Sequence, residues 1–491
     1  MTPRTFKSPT LPPAPPRPSL AEKFLGFLRS GPVVNGTVAL AITVGFFHGW
    51  IKNQYPHPAI TFLFDAMLLV ALAAVFLQKG SKVSFIPPGA VGNALKALYF
   101  VCFVYLLLPF DPPLLVSLAA LRGWCFATLT FGLGYHMTRN LPQVKGYFYL
   151  LIILGVIVSL YGMRQSPEEI KKLMAADPDY ASRYLTSFYA SSTGAGQMRT
   201  FSTFVSAAAF GGTLANVIIF AVALLSAPDA PKWERRLIFL CILPMTYGMI
   251  LSGSRTSLIT LGVGLILIAW YRRNIVNFIL VPVALVVALK LASIATSGAA
   301  AERFGDVLKL EDIFYRNWIP FEIGMNYMSD NPFGGGLGKS GYSIPAFLKF
   351  RTGYRDFIQA DGDIGRLMVD LGIVGLLAFG WLLWVGMRTG YQHLKQLHDT
   401  PLSTLALPSA ACFLMSVIGF PSGSPFLGIP LGVMTWFFLG TLQKLADEQA
   451  KGTFTEAAPD PPTTAPTTPA APAKKFLYYQ PERAPRPKPG A

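Results

Sequence analysis

Long apolar runs, interrupted by proline, glycine and charged residues, restrict this sequence to one class of fold. Counting runs against their breakers gives about twelve segments near the roughly 20 apolar residues that a helix needs to cross a bilayer. The predicted spans are 33–50, 59–78, 93–110, 113–136, 146–163, 202–226, 236–253, 255–271, 274–298, 364–387, 403–419 and 423–442. Only 13% of the residues are charged, against roughly 25% in soluble domains. We therefore predict an all-α polytopic membrane protein.

The distribution of Lys and Arg between the short connections predicts the orientation of the chain. One set of connections is basic, for example Arg272 with Arg273, whereas the alternate connections at 111–113, 252–254 and 421–424 contain neither residue type. Because cytoplasmic loops collect positive charge, the first set and both termini are predicted to be cytoplasmic. The same rule explains the net charge of +16. No RNA-binding or zinc-finger motif is found, so a nucleic-acid partner is not expected.

Composition divides the chain into three parts. Residues 1–32 are Pro-rich and basic and are predicted to be a disordered N-terminal tail. Residues 33–442 hold the predicted spans, and residues 443–491 form a Pro-rich segment that is predicted to be a disordered cytoplasmic tail. The start of the chain lacks the pattern of a cleavable signal peptide, so the first span is expected to direct insertion. The four cysteines lie in apolar segments without a C-x-x-C pair, which predicts neither disulfides nor a zinc site.

Two connections on the predicted outer side are long, 164–201 and 299–363. Loops of more than about fifteen residues are usually functional or disordered. The second loop is rich in Arg, Asp, Tyr, Phe and Gly, and this composition suits a folded lid over a binding site at the membrane surface.

Four arginines on the predicted outer side are candidates for binding phosphate. Arg199 lies in QMRTFSTF, Arg255 lies in SGSRTS, and Arg303 and Arg316 lie in the second long loop. The guanidinium group is planar, always charged and matched to phosphate oxygens. The set predicts a site for a diphosphate on a lipid carrier. For each arginine singly, the alternative is that it extends to the lipid headgroups.

Two charged residues lie inside predicted spans. Arg122 in LAALRGWCFA is near mid-span, where an arginine costs about 2.5–3.5 kcal/mol on insertion scales and therefore needs a cavity or a partner. Asp65 in TFLFDAML lies at a comparable depth and is the candidate partner. A structural ion pair and a functional pair both fit the sequence.

The stretch DNPFGGGLGKSGYS, at 330–343, resembles a phosphate-binding P-loop. That motif requires a glycine at position 333, where this chain has phenylalanine, and the segment lies on the predicted outer side, where ATP is absent. The backbone N–H groups of Gly334, Gly336 and Gly338 and the charge of Lys339 could still contact a phosphate. The alternative is a plain turn between two helices of the loop.

Candidate general bases lie in and after the same loop. Asp361 and Asp363, in FIQADGDIGRLMVDLGIVGLL, directly precede a predicted span, and Glu322 and Asp330 are weaker candidates. A carboxylate beside a sugar hydroxyl could accept its proton, whereas capping of the helix is the structural alternative. The histidines and cysteines show no metal-ligand spacing, so neither a metal nor another cofactor is expected.

The order of several motifs resembles the O-antigen polymerase and ligase superfamily. The motifs, within residues 199–387, are RTFSTF, SGSRTSLITLGVGLI, YRNWIPFEIGMNYMSDNPFGGGLG and DGDIGRLMVDLGIVGLLAFGWLL. The resemblance implies a GT-C-like glycosyltransferase of the bacterial inner membrane that uses neither nucleotide nor metal. It would transfer an undecaprenyl-diphosphate-linked oligosaccharide to an acceptor glycan at the periplasmic face. By position, Arg199, Arg255, Arg303 and Arg316 correspond to the family's arginines. Besides the bilayer, chain-length regulators and flippases are candidate partners.

One departure from the family pattern bears on the reaction. Many members, especially the ligases, have His-Asn where this chain has Asp361 and Gly362. Either Asp361 replaces the histidine as base or the base lies elsewhere, and the departure favours a repeat-unit polymerase for O-antigen or exopolysaccharide. One alternative is a ligase that transfers finished polymer to lipid A core or protein. The other, from a different class, is a transporter, although the paired broken helices common in transporters are not found.

Overall fold

The computed structural model describes residues 31–55, 57–79, 84–166, 168–169, 171–172, 188–189, 197–227, 230–273, 310–342, 344–360 and 362–452, together with positions 279, 283, 286–287, 290 and 294. This part of the chain is helical apart from one antiparallel pair of two-residue strands, β1 (Phe188–Tyr189) and β2 (Gln197–Met198). The helices are α1 (Gly31–Gln54), α2 (Pro58–Thr61), α3 (Leu63–Lys79), α4 (Ala90–Leu107), α5 (Leu114–Met137), α6 (Leu141–Arg164), α7 (Ala207–Leu225), α8 (Lys232–Leu251), α9 (Arg255–Arg272), α10 (Leu310–Asp330), α11 (Ala346–Thr352), α12 (Gly362–Gln396), α13 (Ser403–Gly419) and α14 (Leu431–Lys451).

Six of the described helices are long and apolar enough to cross a membrane: α1, α4, α5, α6, α7 and α12. This confirms the predicted helical fold and supports a multi-pass membrane protein. The count of about twelve spans stays a prediction. The other described helices are shorter or carry more charge, and the predicted span at 274–298 lies outside the described ranges except for single positions.

The last predicted span lies at a different place along the chain. The sequence predicts a helix at 423–442, but α14 begins at Leu431 and continues to Lys451. Pro421, Pro425 and Pro430 lack a backbone N–H, and the segment at 420–430 therefore forms turns instead of a regular helix. Residues 443–451 are helical, so the predicted disordered tail was placed too early.

Successive long helices joined by short connections are antiparallel, so the connections alternate between two ends of the bundle. The end that we call the loop end comprises the described residues of 54–62, 108–113, 165–206, 252–254, 331–360 and 420–430. The connection at 165–206 contacts the ends of two neighbouring helices, α1 and α8. Trp50 N donates to Thr203 O at 2.8 Å, and Thr200 N donates to Leu251 O at 3.3 Å. All the predicted phosphate-binding and catalytic residues that are described lie at or near this end.

Helix α7 lies at the centre of the larger apolar core and is buried over most of its length. A helix that is apolar on every side is stable only where other helices surround it. At the loop end it approaches the turn between α8 and α9 closely, because Gly211 has no side chain. A Cβ there would lie 2.4 Å from Ser252 Oγ and 3.0 Å from Ser257 Oγ. The position of this turn is therefore set by close packing against the core.

Candidate functional site

The turn between α8 and α9 brings two of the predicted arginines to one place. Arg255 is the first residue of α9, and Ser254 caps that helix. Arg199 reaches the same turn, because its Nε donates to Ser252 O at 2.8 Å. The N-terminus of a helix carries partial positive charge from its backbone N–H groups. Two guanidinium groups beside a helix N-terminus form a region that favours an anion.

The other two predicted arginines cannot be placed at this turn. Arg303 and the side chain of Arg316 lie outside the described residues. Asp361, the first candidate base, also lies outside them. Their roles stay predictions.

Asp363, the second candidate base, is fully buried at the start of α12. Its Oδ2 accepts the Phe426 N–H at 3.0 Å, and its Oδ1 lies 3.3 Å from Arg366 Nη1. A general base must reach a substrate hydroxyl, whereas both oxygens of Asp363 are engaged inside the protein. The geometry favours the structural alternative over the predicted catalytic role.

Arg366 was not singled out from the sequence, although it lies one helical turn after Asp363. Its guanidinium carbon lies 3.6 Å from the centroid of the Tyr342 ring. Its Nη1 donates to Ser424 Oγ as well as contacting Asp363. A spacing of three residues between an acid and an arginine on one helix is the signal that indicates such a pair.

Glu322, the weaker candidate base, is exposed on α10. The opposite face of α10 packs on α12. A Cβ on Gly324 would lie 2.6 Å from Met368 Sδ, and one on Gly365 would lie 2.7 Å from Pro320 O. No contact among the described residues joins Glu322 to the arginine-bearing turn, so its catalytic role stays a prediction.

The glycine loop, residues 331–342, packs into a break in α12. The break is at Gly372, which has φ 56° and ψ −147°. Gly336 N donates to Asp370 O at 3.1 Å, and Gly334 N donates to Asn331 O at 2.8 Å. Because these N–H groups already have acceptors within the protein, the predicted phosphate contact through them is not supported.

Gly338 and Lys339, the other predicted phosphate-binding residues of this loop, also make contacts within the protein. A Cβ on Gly338 would lie 2.8 Å from Val116 Cγ1. The Lys339 side chain is buried, with Nζ 3.3 Å from Asp111 Oδ2 and in contact with Asp356 Oδ2. Burial alone lowers the pKa of Lys339, but hydrogen bonds, that to Asp356 first, outweigh it and raise the pKa. Lys339 therefore joins connections at the loop end and does not face outward.

Asp370 is a further residue that the sequence analysis did not name as a site. It lies about two turns after the start of α12, just before the break at Gly372, with 2% of its surface exposed. Its Oδ1 accepts the Ser340 N–H at 2.7 Å, and its Oδ2 accepts the Trp124 indole N–H at 3.2 Å. An acidic residue inside an apolar span was the available signal, since such a residue requires a partner.

The ion pair suggested by the sequence is present. Arg122 Nη1 donates to Asp65 Oδ2 at 2.8 Å, joining α5 to α3. The guanidinium carbon also lies 5.3 Å from the centroid of the Phe62 ring. Phe62 belongs to the loop end, and Asp65 comes three residues after it. The ion pair therefore lies in the half of the bundle nearer the loop end.

The fold and these residues define a multi-pass membrane protein with a cationic turn at its loop end. Residues 239–380 match the family model described as O-antigen ligase. The matched region contains Arg255, the glycine loop, Asp363 and Asp370. This match supports the resemblance of the chain to the O-antigen polymerase and ligase superfamily, whose members are membrane enzymes of glycosyl transfer. No curated protein matches the chain.

Proposed function

We propose that this protein is a repeat-unit polymerase of the bacterial inner membrane. It transfers a glycan from undecaprenyl diphosphate to a hydroxyl of an acceptor sugar at the periplasmic face. The observation that carries the proposal is the meeting of Arg199 and Arg255 at the N-terminus of α9. Preorganised positive groups lower the barrier most where negative charge develops, and a departing diphosphate develops such charge.

The reaction is a substitution at the anomeric carbon of the donor sugar. The acceptor oxygen forms a bond to that carbon, while the bond from the carbon to the diphosphate oxygen breaks and the diphosphate keeps the electron pair. The hydroxyl proton passes to a general base. Asp361 is the proposed base, because Asp363 is enclosed by protein and Asp361 lies directly before α12.

The positive-inside rule supports placing the loop end in the periplasm. The connections at 252–254 and 421–424 lack basic residues, whereas Arg272 and Arg273 lie at the opposite end of α9. The donor diphosphate, which is fixed to a lipid, would then meet Arg255 close to the outer membrane surface.

Polymerase is proposed over ligase because the chain has Asp361 and Gly362 where many members of the family, especially the ligases, have His-Asn. The two activities leave different products in a deletion strain. Loss of a polymerase leaves single repeat units on the lipid carrier, whereas loss of a ligase leaves finished polymer there. A transporter would be indicated by uptake through the reconstituted protein without formation of a glycosidic bond.

The direct test replaces one arginine at each end of α9 in the complemented deletion strain. R255Q removes a guanidinium at the proposed diphosphate site and should leave single repeat units on the carrier. R273Q removes an exposed guanidinium at the opposite end and should restore normal polymer. Both variants must reach the membrane in equal amounts. A normal chain-length ladder with R255Q would refute the proposed role of this turn.

A further inference from the structure

The turn formed by Pro421–Phe426, which we call the 421–426 turn, contacts the helix that begins with Arg255. Thr256 Oγ1 and Ser422 Oγ lie 3.3 Å apart, within hydrogen-bonding distance. Thr256 directly follows Arg255 in the first turn of α9. A displacement of the 421–426 turn would therefore also shift the first turn of α9, where the diphosphate is proposed to bind.

The same turn also holds the first residues of α12. Asp363 N donates to Gly423 O at 2.8 Å, and Phe426 N donates to Asp363 Oδ2 at 3.0 Å. Gly362 has φ 71°, and a Cβ there would lie 2.1 Å from Pro421 O. A backbone approach this close leaves no room for a side chain. The turn and the α12 N-terminus are therefore packed directly against each other.

Arg366 balances the buried negative charge that Asp363 brings to the contact between the 421–426 turn and α12. The Asp363 carboxylate has no exposed surface, and a buried charge is tolerated only when it is paired and hydrogen-bonded. Arg366 supplies the opposite charge to Asp363 and also donates to Ser424 Oγ. Its guanidinium group lies over the ring of Tyr342, which belongs to the glycine loop. The arginine thus connects the turn, α12 and the glycine loop.

We propose that Asp363 and Arg366 are positioning residues that hold Arg255 at a set distance from the α12 N-terminus, acting through the 421–426 turn. The inference rests on the proposed function, because the diphosphate is proposed to bind beside Arg255 and the proposed base, Asp361, directly precedes Gly362, the first residue of α12. Neither Asp363 nor Arg366 needs to touch the substrate. A misplacement of about 1 Å between reacting groups can lower a rate on the order of 100-fold.

The test compares turnover with diphosphate binding in the purified full-length protein in nanodiscs. Turnover is followed with a lipid-linked repeat unit, and binding is measured with undecaprenyl diphosphate itself. D363N should lower kcat roughly 10- to 100-fold, while the Kd for undecaprenyl diphosphate stays near the wild-type value. S422A and S424A each remove one hydroxyl and should lower kcat by smaller factors. R255Q should weaken binding as well as turnover.

S409A is the matched control for the serine variants. Ser409 is fully buried in α13, and its hydroxyl donates only to its own helix, to Leu405 O at 2.8 Å. It should keep wild-type kcat. If D363N fails to fold, S422A and S424A decide the question.

Two results would overturn the positioning role. In one, kcat per diphosphate-binding site is unchanged in D363N and in both serine variants. In the other, kcat and diphosphate affinity fall in parallel, as expected for general loss of structure. If the wild-type protein neither binds undecaprenyl diphosphate nor forms polymer, the proposed function itself is wrong.

Discussion

Asp370 Oδ1 accepts the Ser340 N–H at 2.7 Å, and this bond ties the glycine loop to a predicted membrane-spanning helix just before the break in that helix. The second carboxylate oxygen accepts the indole N–H of Trp124, which lies 246 residues away in the chain. One buried side chain therefore joins α5, α12 and a loop for which the sequence allowed either a phosphate contact or a plain turn.

The glycine loop also replaces hydrogen bonds that α12 loses at its break. In an unbroken helix, Ile373 N would donate to Val369 O. Here Ile373 N donates to Pro332 O at 2.9 Å, and Val369 O accepts the Gly335 N–H at 2.8 Å. Backbone groups at membrane depth must be satisfied by protein. The loop is therefore an integral part of the packing of α12.

Replacement of Asp370 by Asn should destabilise the protein. In D370N the amide oxygen can accept from one of the two donors, Ser340 N or Trp124 Nε1. The amide NH2 group is itself a donor, so it cannot accept a hydrogen bond from the other. An unmatched buried polar group costs about 1–3 kcal/mol. Unfolding in SDS, followed by circular dichroism, measures the loss.

The loss of unfolding free energy caused by W124F distinguishes an unmatched hydrogen bond at Asp370 from a general loss of packing. In the wild-type background, W124F removes the indole N–H that donates to Asp370. In the D370N background, it removes a donor that competes with Ser340 N for the single amide oxygen. Its cost should fall by more than half in D370N. Y135F, which loses a donor to Asp447 at 2.8 Å at the opposite end of the bundle, should cost the same in both backgrounds. Equal costs of W124F in the two backgrounds would contradict the assignment.

G372A should be poorly tolerated, whereas G380A should be neutral. At Gly372 the backbone has φ 56° and ψ −147°, and a Cβ would lie 2.4 Å from Gly334 N. Such a conformation costs a non-glycine residue about 1–3 kcal/mol before any steric overlap. Gly380 lies on the same helix with nothing within 4 Å of an added Cβ. The yield of folded protein from the membrane and its thermal stability compare the two; equal values would argue against the break.

The Asp65–Arg122 pair allows a test of whether buried charge serves structure or function. Removing one partner, as in D65N, should cost up to about 3–5 kcal/mol, because the Arg122 side chain that loses its partner is only 18% exposed. The double variant D65N/R122Q should regain much of that stability. If the pair is structural, the double variant also regains polymer synthesis. A stable double variant that makes no polymer would assign the pair a part in the reaction.

D361N should lower turnover, because a general base contributes about 100- to 10,000-fold to a rate. Its thermal stability should stay at the wild-type value. D361H should keep measurable activity, since imidazole also accepts a proton. E322Q changes the exposed candidate on α10 and should be near wild type. Loss of turnover in E322Q together with normal turnover in D361N would move the base to α10.

Some of the site could be predicted from short-range patterns. Arg199 and Arg255 were recognisable because each lies at the end of an apolar run, and the two lie at one turn in the structure. The Asp65–Arg122 pair was recognisable because opposite charges at similar depth have few other partners. The roles of Lys339 and Asp363 could not be predicted from short-range patterns, because their partners are distant in the chain. Lys339 pairs with Asp111, 228 residues away, and Asp363 accepts from Phe426, 63 residues away.

Hydropathy and local spacing by themselves determined the helical membrane class, most helix positions and the end at which Arg199 and Arg255 lie, because each depends on a window of about 20 residues or fewer. Only the tertiary structure decided which polar groups remain available to a substrate. The N–H groups of Gly334 and Gly336 and the carboxylate of Asp363 bind other parts of the protein. The physical reason is that every buried donor and acceptor needs a partner, and packing of distant segments selects it.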